Sequence, residues 1–175
     1  MNEEKREFIR VPVNIKGYLR ELAYPDEVQL FREGPASALD SIGIDLASAN
    51  LSEPMLRVLA SINAKLDLLL SIQGQQRLLA DFPLHVDVFE ISGAGARLFS
   101  AKPLTIGKDI EIVFLLMHTP LRLAGAIGSV VREEAFHDRQ AWVVDFTRIR
   151  ERDLEFIVQA VLQAQRDEIH GHKWE

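Results

Sequence analysis

The chain has 175 residues, 47% of them hydrophobic and 26% charged, and a net charge of -6. This fits one domain, or one domain with an embellishment, and a core that needs no covalent staples. Cysteine is absent, which excludes disulfides, thiolate zinc sites and cysteine nucleophiles, and the acidic balance without a long basic run argues against duplex nucleic acid, whose binding rests on phosphate neutralisation.

The first ten residues are charged throughout and lack the apolar segment of a secretory signal. The most apolar stretch, Ile112 to Met117, is six residues long, against about 20 for a spanning helix. The expectation is a soluble, cytoplasmic protein.

Residues 11–20 read as a strand, with Val11, Val13, Ile15 and Leu19 on one side and Asn14, Lys16, Tyr18 and Arg20 on the other. No partner strand follows it. From Glu21 to about Ala80 the pattern is helical. Pro25 opens a short helix through Phe31 and Arg32, which Gly34-Pro35 breaks. Residues 36–49 give a weaker helical pattern. Ser52 is a good N-cap for a long helix from Glu53 to about Ile72, extending past Gly74 to Leu79. Residues 21–80 hold eight acidic and four basic side chains, so this stretch is no nucleic-acid arm.

From Asp81 the period changes to that of strands. Leu84–Ile91, Ala96–Ser100, Ile110–Leu116, Leu121–Arg132 and Ala141–Phe146 are separated by short turn-forming segments, which favours antiparallel neighbours. With strand 11–20 they make six, enough to close a small barrel. A closing helix carries Leu154, Ile157, Val158, Val161, Leu162 and Gln165 at helical spacing and should pack on that barrel. The tail from His170 to Glu175 reads as frayed.

Within the long helix, Met55, Leu59, Ile62, Leu66 and Leu69 alternate steps of four and three, a heptad seam. Leu59 and Leu66 take a positions; Met55, Ile62 and Leu69 take d positions. Leu56, Val58, Leu70 and Ile72 widen the apolar face, and Leu at a with Ile at d leans towards trimers or tetramers. The competing reading is an amphipathic helix lying on its own barrel, but the closing helix already claims barrel surface. Self-association is the expectation, as a homotetramer or failing that a dimer.

Two arginines, Arg6 and Arg10, precede the first strand as R-x-x-x-R, and Glu90-Ile91-Ser92-Gly93-Ala94-Gly95 spans the turn between the second and third strands. In this strand context the chain resembles the PilZ domain family, bacterial receptor modules for cyclic di-GMP, over residues 5–20 and about 81–168. Its helix-bearing middle resembles a helix-inserted, tetrameric subgroup. The resemblance implies a six-stranded antiparallel PilZ-type barrel, interrupted after strand 1 by a helical insertion and followed by a C-terminal helix. Residues 1–20 and 81–175 would form the discontinuous barrel domain, and residues 21–80 the oligomerisation insertion.

The resemblance also implies a ligand site. Arg6 and Arg10 would grip phosphate or fork onto guanine, as planar, permanently charged guanidiniums do. Glu90 would accept from guanine N–H groups, Ser92 would offer its hydroxyl to a guanine edge, and Gly95 would admit the ligand to the backbone. Glu90 stands where the family has Asp or Asn, and Val143 where many members have Gly; both bear on affinity, not on fold. Ser92 to Gly95 is also an ordinary hairpin turn.

Enzyme motifs are missing: no G-x-S-x-G, P-loop or H-E-x-x-H occurs. Glu133 and Glu134 are adjacent on a strand and point to opposite faces. His137-Asp138 reads as a polar loop, and His170-x-His172 as a solvated end without a third metal ligand. The leading expectation is a non-enzymatic cyclic di-GMP effector without a cofactor, acting on an unidentified protein partner in motility, pili or virulence. Its rival is a ligand-free scaffold working through protein contacts alone.

Overall fold

The computed structural model describes residues 9–32, 51–118 and 121–171. Its elements run β1 (Val11–Glu21), α1 (Glu53–Asp81), β2 (Leu84–Ser92), β3 (Gly95–Ser100), β4 (Asp109–His118), β5 (Leu121–Phe136), β6 (Arg139–Ile149) and α2 (Glu151–Gly171). In β1 apolar and polar positions alternate, so one face turns inward, while β4 is apolar on both faces and is covered on both, with Ile112 and Phe114 in the barrel core and Val113 in a cluster outside it. The six close into an antiparallel barrel in the order β1-β2-β3-β6-β5-β4. Leu19, Val88, Leu98, Ile112, Val130 and Val144 belong to its interior. The strand after 11–20 in the chain, β2, is its neighbour despite the long insertion, and β4 is the other. Consecutive strands from β2 onward are neighbours except β3 and β4, whose link buries Leu104 and turns at Gly107 with a φ of 80°.

The expected short helix from Pro25 to Arg32 does not form; the chain makes a turn at Pro25-Asp26 and then runs irregularly over the barrel's outer face. Long-range bonds outweigh the local helical pattern here. The Glu111 carboxylate on β4 accepts the backbone N–H of Leu30 at 3.0 Å and of Phe31 at 2.7 Å, donors that a helix would have turned towards its own carbonyls. The helical pattern over 36–49 lies outside the described residues.

α1 runs unbroken through Gly74. Ser52 is its N-cap by backbone, with its carbonyl accepting Met55 and Leu56 N–H, while its hydroxyl makes no capping bond. At the other end Phe82 N–H bonds Leu78 carbonyl at 2.7 Å and Pro83 stops the helix. Leu78 and Phe82 pack with Phe31 onto Val113, forming a second small apolar cluster outside the barrel. Gly125 makes room for it: a Cβ there would lie 2.5 Å from Phe31 Cδ1. Both roots of the insertion are thus anchored on the same outer face.

α2 packs Ile157 and Val161 into the main core, with Phe156 and Ala164 beside them. Its buried stripe is rotated from the expected one. Asp153 is buried and Leu162 is exposed. The helix continues through Gly171, two residues into the expected frayed tail; residues 172–175 lie outside the described residues.

Candidate ligand site

Strand register brings the two motif halves together. Val11 pairs with Ile91 and Pro12 with Glu90, so Arg10, just before β1, meets the end of β2. Arg10 Nη1 lies 3.7 Å from Glu90 Oε1. Arg6 lies outside the described residues.

A register shift between Val88 and Glu90 leaves Phe89 as an extra residue opposite β3. Such a bulge breaks the in–out alternation. Val88 and Ile91 therefore both face the core, while Phe89 and Glu90 both turn to the outer surface. β5 shifts in the same way between Val130 and Arg132. The two bulges flank the Arg97–Val143 pair, which joins β3 to β6.

Arg97 is the centre of the arrangement, and the sequence reading missed it. Its Nη1 bonds Glu90 Oε2 at 2.9 Å, and its Nε and Nη2 both bond Glu134. The guanidinium carbon lies 5.2 Å from the centroid of Phe89 and 5.1 Å from that of Phe136. Burial opposes its charge, but the bonds to Glu134 and Glu90 outweigh that and hold Arg97 above the ordinary arginine value. Phe89 stacks on both Phe99 and Phe136, and Arg139 covers Phe99 at 3.9 Å. A shallow dent beside this cluster is lined by Arg10, Glu90, Gly95, Arg97 and Val143.

Ser92 and Gly95 adjoin the dent but have structural work. The Ser92 hydroxyl is buried, accepts Ala94 N–H at 3.2 Å and donates to Gly95 carbonyl at 3.4 Å, closing the β2–β3 turn. A Cβ on Gly95 would sit 2.4 Å from the carbonyl oxygen of Val144. Its missing side chain therefore permits the close approach of β3 to β6. Val143 is buried beneath the cluster.

The expected oligomerisation seam is exposed on the single chain. Met55, Leu59, Ile62, Leu66 and Leu69 are 37% to 62% exposed, and Val58, Leu68 and Ile72 add apolar surface on other sides of α1. Among the described residues, α1 is anchored on the barrel near its C-terminal end, through Leu78 and Phe82.

His137 and Asp138 have φ values of 48° and 58° as the central pair of the β5–β6 hairpin, a turn requiring positive φ at both positions. Glu134 bonds Arg97, which also holds Glu90. Among the described residues no group of three or more His, Asp or Glu is arranged to hold a metal, and no helix is long and apolar enough to cross a membrane.

The chain belongs to the PilZ domain family, whose model matches residues 57–163, more than half of its length. That match leaves β1 and both arginines of R-x-x-x-R outside it. No curated protein matches the chain by sequence. Among solved structures, a tetrameric PilZ domain from Xanthomonas campestris, described as a pathogenic protein self-assembled through an unusual helical bundle, superposes with a TM-score of 0.56 at 18% identity over 94% of this chain and 92% of that one. The Bacillus subtilis inhibitor of motility MotI/DgrA gives 0.51 at 11% identity, covering 94% of this chain and 52% of that one. Escherichia coli YcgR in complex with c-di-GMP gives 0.53 at 8% identity, covering 97% and 50%. The chain spans about half the length of these last two proteins. At such identities the likeness is one of fold: a PilZ barrel with a helix inserted after β1.

Proposed function

We propose that the protein is a non-enzymatic regulatory module that binds cyclic di-GMP and assembles through α1. The observation that carries the reading is the meeting of Arg10 with Glu90 at the rim of the dent, which joins two motif halves eighty residues apart in sequence. A guanidinium there suits a ligand with two phosphates and two guanines, since it pairs with either. Arg6 would join Arg10, and Glu90, Ser92 and Gly95 would form the rim. The complex of YcgR with c-di-GMP supports the ligand class.

The exposed apolar length of α1 supports self-association through residues 21–80, and the helical-bundle tetramer of the Xanthomonas protein supports four copies, with two as the fallback. Ligand binding then alters a surface read by a protein partner in the cytoplasm. An inhibitor of motility and a pathogenic protein among the structural relatives support motility or virulence as the process served.

A second reading, a ligand-free scaffold acting through protein contacts, draws on two observations. The Ser92 hydroxyl is spent within its turn, and the Glu90 carboxylate already engages two arginines. Calorimetric titration with cyclic di-GMP separates the two: saturable binding supports the receptor, and none supports the scaffold.

A further inference from the structure

Glu90 stands between two guanidiniums that are held very differently. Arg97 is bonded to Glu134 as well as Glu90 and lies against the rings of Phe89 and Phe136. Arg10 meets Glu90 at the looser distance of 3.7 Å, and its side chain is 53% exposed. The bulge at Phe89 turns the Glu90 carboxylate outward beside the dent instead of into the core. A carboxylate resembles the edge of a phosphate, with two acceptor oxygens sharing a negative charge, and guanidinium binds both by the same fork.

We propose that Glu90 is an internal competitor for the site: its carboxylate occupies the Arg10 guanidinium that a ligand phosphate must take. This rests on the reading of the dent as a cyclic di-GMP site. The incoming phosphate draws Arg10 away from Glu90. Arg97, clamped by Glu134 and two rings, stays behind to neutralise Glu90. Binding thus costs the Arg10–Glu90 pair, so Glu90 sets the affinity low and makes it depend on charge at position 90. An acceptor for guanine at this position would behave in the opposite way, because removing its charge would weaken binding.

Glu90→Gln keeps the side chain's length and removes its charge, while Arg97 retains Glu134; circular dichroism checks that the barrel persists. Full-length wild type and Glu90→Gln are titrated calorimetrically with cyclic di-GMP. The expected result is about five-fold tighter binding by Glu90→Gln, the scale of one exposed ion pair released. Binding by wild type that is unchanged or weakened in Glu90→Gln overturns the competitor role and leaves the receptor reading standing. If neither protein binds, the receptor reading fails, and the competitor role is read with inorganic pyrophosphate from the NMR signal of Arg10 Nε–H. Response at lower pyrophosphate concentration in Glu90→Gln than in wild type upholds it, and equal response overturns it.

Discussion

Arg20 on β1 and Glu111 on β4 are register partners, and their ion pair lies under the chain that leads into the insertion. Arg20 Nε donates to Glu111 Oε2 at 2.8 Å, and Glu111 is fully buried while also accepting Leu30 and Phe31 N–H. Arg20 reaches on to Glu27, whose other oxygen accepts Ala23 N–H. Burial opposes the Arg20 charge, but the bonds to Glu27 and Glu111 outweigh it and raise its pKa. Glu111→Ala takes one acceptor from Arg20, which keeps Glu27, and leaves the Leu30 and Phe31 N–H groups without theirs. Leaving buried donors unsatisfied in this way costs about 1–3 kcal/mol each. Urea denaturation should show that loss, and a loss below 1 kcal/mol would mean that water replaces the carboxylate readily.

The same network gives a pH dependence. The Glu27 carboxyl is held below its ordinary value of 4.5, first by the hydrogen bond from Arg20 and then by Ala23 N–H, against a small opposing effect of burial. A depressed carboxyl pKa stabilises the fold above the unfolded value, and that contribution is lost as pH falls through the folded value. Wild type should therefore exceed Glu27→Gln in stability at pH 6, and the gap should close as pH drops below 4.5. Denaturation curves for both proteins across this range check it; a gap that widens in acid would reverse the assignment.

Gly95→Ala places a methyl group 2.4 Å from the Val144 carbonyl oxygen, so β3 and β6 must separate. Overpacking of this kind costs roughly 1–3 kcal/mol. Thermal or urea unfolding should report it with no ligand present. Unchanged stability would free Gly95 for a role at the ligand alone.

All six strands were legible in the sequence because apolar alternation, as in Val11, Val13, Ile15 and Leu19, or a short apolar run, as in Ile112 to Met117, marks them and turn residues separate them. What was not legible depends on partners remote in sequence. The segment after Pro25 looks helical locally, yet Glu111, some eighty positions away, takes its N–H groups. Arg97 gave no motif signal. It meets Glu90 through β2–β3 register and meets Phe89 because a bulge turns that ring outward. Strand parity past Gly95 was the one available clue, since it puts Arg97 on the outer face. In α2 the apolar spacing was right, but packing buried Asp153 and left Leu162 outside.

The seam of α1 is exposed on one chain, and the area of several large apolar side chains in water disfavours the isolated helix. Ile62→Lys with Leu66→Asp puts charges in the middle of the seam, where burial costs several kcal/mol per unpaired ion. Light scattering should show a tetramer, or failing that a dimer, for wild type and a smaller folded species for the double variant. The barrel should survive, since its core draws nothing from these two residues. A monomeric wild type at micromolar concentration would refute assembly through α1.

Calorimetric titration of the full chain with cyclic di-GMP, beside Arg10→Ala, bears most directly on the receptor reading. Arg10 is half exposed and its pair with Glu90 is loose, so its loss should leave the fold intact. Removing a charge-assisted contact to phosphate costs about 1.5–3 kcal/mol, a weakening of roughly ten- to a hundred-fold. Saturable binding by wild type, lost or weakened by that amount in Arg10→Ala, is the expected result; wild type that binds no cyclic di-GMP, or Arg10→Ala that binds as tightly as wild type, would contradict a receptor site built on Arg10.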